Sequence, residues 1–255
     1  MYFRNITYSF LGLSLLFSCH KKNEENSQPV VPVQTGSVTI QIDHMSGNDV
    51  FKLNAHYINS SQDTFNVGTL RYILSNFKLK KGDTAEVSLP NTYFLIDFTQ
   101  GSSFTLSNVP FGNYSGMEYL IGVDSMATVS GAQTGALDPI NDMFWTWATG
   151  YINFQMTGTS SSSSATGHLI DYHIGGFRYP YATQQPVTHS FGTSILTVRS
   201  GTIPKILLSM DVLEFFKNPV DISIKNLPEL SVPGSKASMV ANNYKDMFQF
   251  KLLSN

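Results

Sequence analysis

Ser37-Val38-Thr39-Ile40-Gln41-Ile42-Asp43-His44 is the stretch on which the fold turns. Its apolar residues fall on every second position, the period of a strand with one face buried. The alternation returns in Phe51, Leu53, Ala55 and Tyr57, set against Lys52, Asn54 and His56. It returns again in Ile206, Leu208, Met210 and Val212. Further strands are expected at Arg71–Lys80, Tyr93–Phe98, Ser115–Val123, Tyr151–Gly158, Gly167–Ile174, Thr193–Arg199 and Asp221–Ile224. Turn signals separate them, among them Lys81-Gly82-Asp83, Leu89-Pro90-Asn91, Pro110-Phe111-Gly112-Asn113 and Asn218-Pro219. Many short strands with such turns predict an all-β chain, an antiparallel β-sandwich.

Two segments depart from period two. Ala237, Val240, Ala241, Tyr244, Met247 and Phe248 recur at three- and four-residue spacing behind Ser235, a candidate N-cap. This predicts a short amphipathic C-terminal helix over Lys236–Met247 that closes one end of the sandwich. Ser160–Ser164 is a serine run and reads as an exposed hairpin loop.

Ahead of the first strand the chemistry changes. Arg4 precedes a mostly apolar run from Ile6 to Phe17. The run is far shorter than the ~20 residues a membrane-spanning helix needs, so it reads as the core of an export signal. It ends in Leu16-Phe17-Ser18-Cys19, which resembles a lipobox, and Cys19 is the only cysteine of the 255 residues. The expectation is a signal peptide over 1–18, with Cys19 carrying lipid that anchors the chain to a membrane without spanning it. His20–Gln34 is polar, with Lys21, Lys22, Glu24, Glu25 and two prolines, and reads as a flexible stalk. The expected organisation is therefore a stalk over 19–36 and a sandwich over 37–255. Localisation in the cell envelope, at the outer membrane, follows from the same reading. A lone thiol leaves the domain to be held by its core.

Charge and motifs exclude more than they assign. Sixteen Lys and Arg oppose eighteen Asp and Glu, so no nucleic-acid partner is indicated. No nucleophile elbow, phosphate-binding glycine loop or His-Glu-x-x-His pattern is present, and nothing in the sequence requires an enzyme.

The histidines carry more information. His44 continues the parity of Val38, Ile40 and Ile42, so it is expected to point inward and to need a carbonyl, a carboxylate or a metal as partner. His56 falls on the polar face of its strand, and His189 sits in a Gln- and Pro-rich stretch read as a loop. His168 and His173, five residues apart, point to opposite faces if one strand carries both. In Ala136–Gly158 both tryptophans, Trp145 and Trp147, cluster with Met143 and Tyr151. These aromatics either fill the core or wall a metal or ligand site.

Several ordered motifs resemble the MbnP-like copper-binding family. They are Leu70-Arg71-Tyr72-Ile73-Leu74-Ser75-Asn76-Phe77, Ile121-Gly122-Val123-Asp124, Leu137-Asp138-Pro139, Met143-Phe144-Trp145-Thr146-Trp147, Gly150-Tyr151 and His173-Ile174-Gly175-Gly176. The closing Ala241-Asn242-Asn243-Tyr244 fits as well, so the resemblance spans nearly the whole folded part. It implies an exported β-sandwich that binds one copper ion through histidines. By that resemblance His173 and His44 are the ligands, with Met143 or water in a further position and His168 as the lesser alternative. Gly175 and Gly176 would let the backbone turn beside the ion, and Trp145, Trp147 and Tyr151 would stand near the site. Some members use a tryptophan oxidised to kynurenine, made by a dihaem partner; this chain has Tyr93 at that position, so neither carries over. The function implied is sequestration, storage or delivery of copper, with an exported copper-handling partner. The alternative is a non-metal adhesion or ligand-binding lipoprotein on the same sandwich.

Overall fold

A computed structural model describes residues 1–2, 32–82, 84–131 and 133–255. Cys19, residues 3–18 of the expected export signal and most of the expected stalk lie outside the described residues, and the sandwich is the compact unit Val33–Asn255. Its first strand, β1 (Thr35–Ser46), begins two residues before the boundary expected at Ser37. Burial along β1 alternates: Val38, Ile40, Ile42 and His44 face the interior.

The chain continues through the short β2 (Asp49–Val50) and β3 (Tyr57–Ile58) into the eighteen-residue β4 (Thr64–Lys81). Next come β5 (Ala85–Ser88), β6 (Tyr93–Asp97), β7 (Ser103–Pro110), β8 (Gly112–Tyr114) and β9 (Gly116–Ile121). A one-turn helix α1 (Ser125–Val129) leads to β10 (Phe144–Thr146) and the long β11 (Gly150–Ser160). After these lie β12 (Leu169–Gly175), β13 (Gln185–Ser190), β14 (Leu196–Val198) and β15 (Lys205–Asp211). The chain ends in β16 (Glu229–Leu230), α2 (Ser235–Tyr244) and β17 (Phe248–Ser254).

Two sheets result. In the first, β17, β15, β1 and β2 lie side by side and β7 pairs with β1. In the second the order is β13, β9, β4, β11, β12, β16, with β3, β5 and β6 on β4 and β10 on β11. The fold is all-β with one C-terminal helix, as its sequence predicts. The pairing is mostly antiparallel, with two exceptions: β1 runs parallel to β15, and β12 parallel to β16. Between the sheets Tyr72, Phe154, Tyr172, Phe215 and Tyr244 are fully buried. Phe154 stacks on Phe215 at 5.2 Å and on Tyr244 at 5.4 Å.

Several local expectations are corrected. Phe51–Ala55 keeps the alternation of burial but is a turn, because Asn54 sits at φ 62°, outside the extended region. Asp221–Ile224 is likewise irregular, although Ile222 and Ile224 are buried. Ser235 is not the N-cap of α2; Gly234 holds that place with no side-chain cap, and Ser235 is the first helical residue. Met247 lies beyond the helix, which ends at Tyr244. Within the serine run Ser160 and Ser163 are buried, bonded to the carbonyls of Thr64 and Leu169.

Candidate metal centre

Strand parity sends the two candidate histidine ligands to opposite sides of a sheet. Tyr72 on β4, Phe154 on β11 and Ile174 on β12 lie opposite one another in register, all at full burial. The next row, Arg71, Gln155 and His173, is therefore on the outer face of the same sheet. His44 contacts the inward Tyr72, so the second sheet lies between His44 and His173. They do not form one site.

His44 is enclosed. Its Nε2 lies 2.9 Å from the Tyr72 hydroxyl and its Nδ1 3.2 Å from Ser102 Oγ, while Phe98 packs edge-on at 5.1 Å. Both ring nitrogens are engaged. Burial lowers its pKa to about 4, against a smaller opposing pull from Asp43. A second histidine shares these conditions. His189 lies on β13, not in a loop, with its Nε2 3.1 Å from the Tyr119 hydroxyl, and burial brings it too to about 4. The buried Tyr72 and Tyr119 both meet Phe248 edge-on, at 5.5 and 6.0 Å. Burial pushes both phenols well above the usual tyrosine range.

His173 is half-buried on the outer face. Its Nδ1 lies 2.8 Å from Asp171 Oδ1 and 3.2 Å from Ser231 Oγ, and its Nε2 lies 2.6 Å from Gln155 Nε2. An amide nitrogen only donates, so His173 Nε2 accepts and Nδ1 carries the proton, which it shares with Ser231 Oγ; Ser231 in turn donates to Asp171 Oδ2 at 3.3 Å. Gln155 Oε1 is buried without a protein partner. Beside this row Arg71 Nε pairs with Asp97 at 3.1 Å.

The remaining candidates separate as well. His168 is in the turn Thr166–His168 at φ 56°, exposed, with Nδ1 against the Ser163 carbonyl. It precedes β12, so the opposite-face comparison with His173 does not apply. His56 is solvent-exposed as expected. Met143 is buried in a small outer cluster with Ile73, Val123, Leu137, Tyr151 and Ile152, on which Tyr93, Leu95 and Trp145 pack. Tyr151 donates to the Leu137 carbonyl at 2.8 Å. Trp145 stands over Gly175, where an added Cβ would lie 2.8 Å from the indole and would collide with the Tyr151 carbonyl. Gly175 is thus required by packing, and Gly176, at φ 118°, by its backbone conformation. Trp147 is 55% exposed against Phe144 and lies just past β10, so the two tryptophans do not share one packed layer.

Among the described residues no three His, Cys, Asp or Glu side chains group closely enough to hold a metal. No helix among them is long and apolar enough to cross a membrane. The geometry defines a β-sandwich protein with a half-buried imidazole on its outer face, linked to a carboxylate through Ser231. More specifically, the chain belongs to the MbnP family, whose sequence profile matches residues 35–233. Its fold is similar to that of MbnP from Methylosinus trichosporium, with a TM-score of 0.58 and 13% identity over 86% of this chain and 99% of that one. A search of curated proteins finds no match.

Proposed function

We propose that the protein is an extracytoplasmic copper-binding lipoprotein that sequesters, stores or delivers one copper ion, with His173 as its imidazole ligand. The supporting observation is the orientation of His173 by Asp171, which lies 2.8 Å from Nδ1 and is hydrogen-bonded to it through Ser231 Oγ. A metal-ligating histidine characteristically gives its other ring N–H to a carboxylate, which fixes the tautomer and raises ligand basicity. Gln155 adds an unpartnered buried amide oxygen beside Nε2. An imidazole nitrogen with amide and hydroxyl oxygens suits copper, which binds more tightly than other divalent first-row ions at such donors. His44 takes a structural role in this reading, since it is buried between the sheets and bonded at both nitrogens, whereas His173 on the outer face can exchange the Gln155 bond at Nε2 for the ion.

Copper titration of the full chain and three variants tests the assignment. His173→Ala is expected to abolish binding, Asp171→Asn to weaken it about 10–100-fold, and His44→Gln to leave one ion bound. The second reading, an adhesive or ligand-binding sandwich without metal, is favoured by the separation of His44 from His173. It becomes the better one should the wild-type chain bind no copper.

Anchorage through lipid on Cys19 belongs to the same proposal and rests on the lipobox-like Leu16-Phe17-Ser18-Cys19. Cys19→Ala is expected to move the protein from the membrane to the soluble fraction of cells. A variant that stays as firmly bound as wild type removes the anchor.

A further inference from the structure

Two clefts flank Tyr93, and their lining differs in chemistry from the histidine sites. The first, about 530 Å³, lies between α1 and the Gly135–Leu137 turn, with Asp124, Ser130 and Gln133 in its walls. The second, about 580 Å³, runs over Asn91–Phe94 toward Thr105, Ser107 and Asn108. Asn91 and Tyr93 line both, so the two are one groove crossed by a ridge. Each volume falls in the ~300–1,000 Å³ range of small-molecule sites.

Charge narrows the ligand. No Lys, Arg or His lines either cleft among the described residues, so neither offers an anion a counter-charge. The one carboxylate is Asp124, and it is already occupied. It accepts from the Tyr93 hydroxyl at 2.5 Å, Asn76 Nδ2 at 2.8 Å and the Ala127 amide at 3.0 Å. Burial pushes its pKa up, but these bonds outweigh burial and hold it below the usual carboxylate range. A carboxylate so saturated, with no second beside it, does not supply the six or more oxygens of a calcium site.

What remains is uncharged hydrogen-bonding capacity next to apolar surface. The Tyr93 hydroxyl spends its proton on Asp124, leaving lone pairs to accept. Gln133 Nε2 is held by Ser130 Oγ at 2.6 Å, which leaves the amide oxygen as an acceptor. Asn91 has no side-chain hydrogen-bond partner among the described residues and offers both donor and acceptor. Leu137, Phe94 and the Tyr93 ring supply the apolar walls. A ligand that donates and accepts hydrogen bonds through hydroxyls, carries no charge and presents C–H faces is a sugar. Two clefts either side of one aromatic ridge require it to be extended. We infer that this groove binds a neutral oligosaccharide, with Tyr93 as the central platform and Asn91 and Gln133 as flanking hydrogen-bonding groups.

The test is calorimetric titration of the full-length Cys19→Ala chain with maltohexaose, cellohexaose, xylohexaose and mannohexaose, and with a chondroitin sulfate hexasaccharide as the charged control. At least one neutral hexasaccharide is expected to bind, and the sulfated one not to. Asn91→Gly combined with Gln133→Ala is expected to weaken binding at least tenfold with an unchanged melting temperature, because glycine accepts the φ of 57° at position 91. Tyr93→Phe, which keeps the ring but releases Asp124, is expected to weaken it as well. Tyr179→Ala, at an exposed tyrosine outside the groove, leaves it unchanged. The inference is overturned if no neutral hexasaccharide binds, if only the sulfated one does, or if the Asn91/Gln133 double variant binds as wild type.

Discussion

At His44 and His189 the protein keeps two imidazoles neutral inside an apolar sandwich, each on a tyrosine hydroxyl. Their exposures, 5% and 8%, leave little solvent to screen a charge. Both have folded pKa values of about 4, against 6.5 in the unfolded chain. Between those values the unfolded state binds more protons, so their contribution is complete above pH 6.5 and is lost as pH falls toward 4. Each histidine contributes a slope on the order of 1.4 kcal/mol per pH unit across that window. The urea midpoint is therefore expected to fall steeply between pH 6.5 and 4. His44→Gln and His189→Gln together should flatten that fall, while His56→Gln at the exposed position leaves it. An unchanged profile in the double variant refutes the assignment. The inward direction of His44 was legible because three apolar residues of matching parity precede it. His189 was not, because only Val187 shares its parity in a strand of Gln, Pro, Thr and Ser.

Elements were legible where burial alternates, throughout Ser37–Ser46 of β1 and over shorter runs of β4, β11 and β15. The short return β5 and the closing β17 are harder to read, since Ala85 and Leu252 put apolar residues outward, whereas Phe104 and Leu106 in β7 do alternate with Ser103, Thr105 and Ser107. Of the two tryptophans only Trp145 packs on the outer cluster, because β10 ends at Thr146 and leaves Trp147 in the turn beyond. Sequence spacing does not reveal where a three-residue strand stops. Truncations should show the difference by thermal melting. Trp147→Ala is expected to cost less than about 1 kcal/mol, as at most exposed positions, whereas Trp145→Ala removes a wall of the outer cluster and costs about 2–4 kcal/mol. Gly175→Ala should be at least as damaging as Trp145→Ala, because its methyl meets a backbone carbonyl that cannot move aside. Equal effects at Trp145 and Trp147 would restore the single packed layer that the spacing suggests.

The whole molecule depends on pairings that no local pattern announces. β15 joins β1 in parallel across more than 150 residues of intervening chain, and β17 then covers the other edge of β15. The family profile stops at residue 233, yet α2 and β17 finish the interior. Asn243 Nδ2 donates to the carbonyls of Phe215 at 3.0 Å and Val220 at 2.6 Å, and Tyr244 donates to the Thr183 carbonyl. Val240, Tyr244, Met247 and Phe248 are all buried. At about 1.5–3 kcal/mol for each large side chain, these four alone contribute roughly 6–12 kcal/mol. That is comparable to the whole net stability of a domain, about 5–15 kcal/mol. A chain ending at Pro233 is therefore expected to lose its cooperative urea transition and to bind an apolar dye, with Tyr72, Tyr119 and Met210 opened to solvent. Asn243→Ala, which removes those two Nδ2 bonds and the one Asn243 Oδ1 accepts from the Val220 amide but little apolar area, should instead keep a cooperative transition at a lower midpoint. If the truncated chain unfolds cooperatively at the wild-type midpoint, the last 22 residues are an appendage and the core closes without them; the edge-on seating of Phe248 between Tyr72 and Tyr119 argues that it does not.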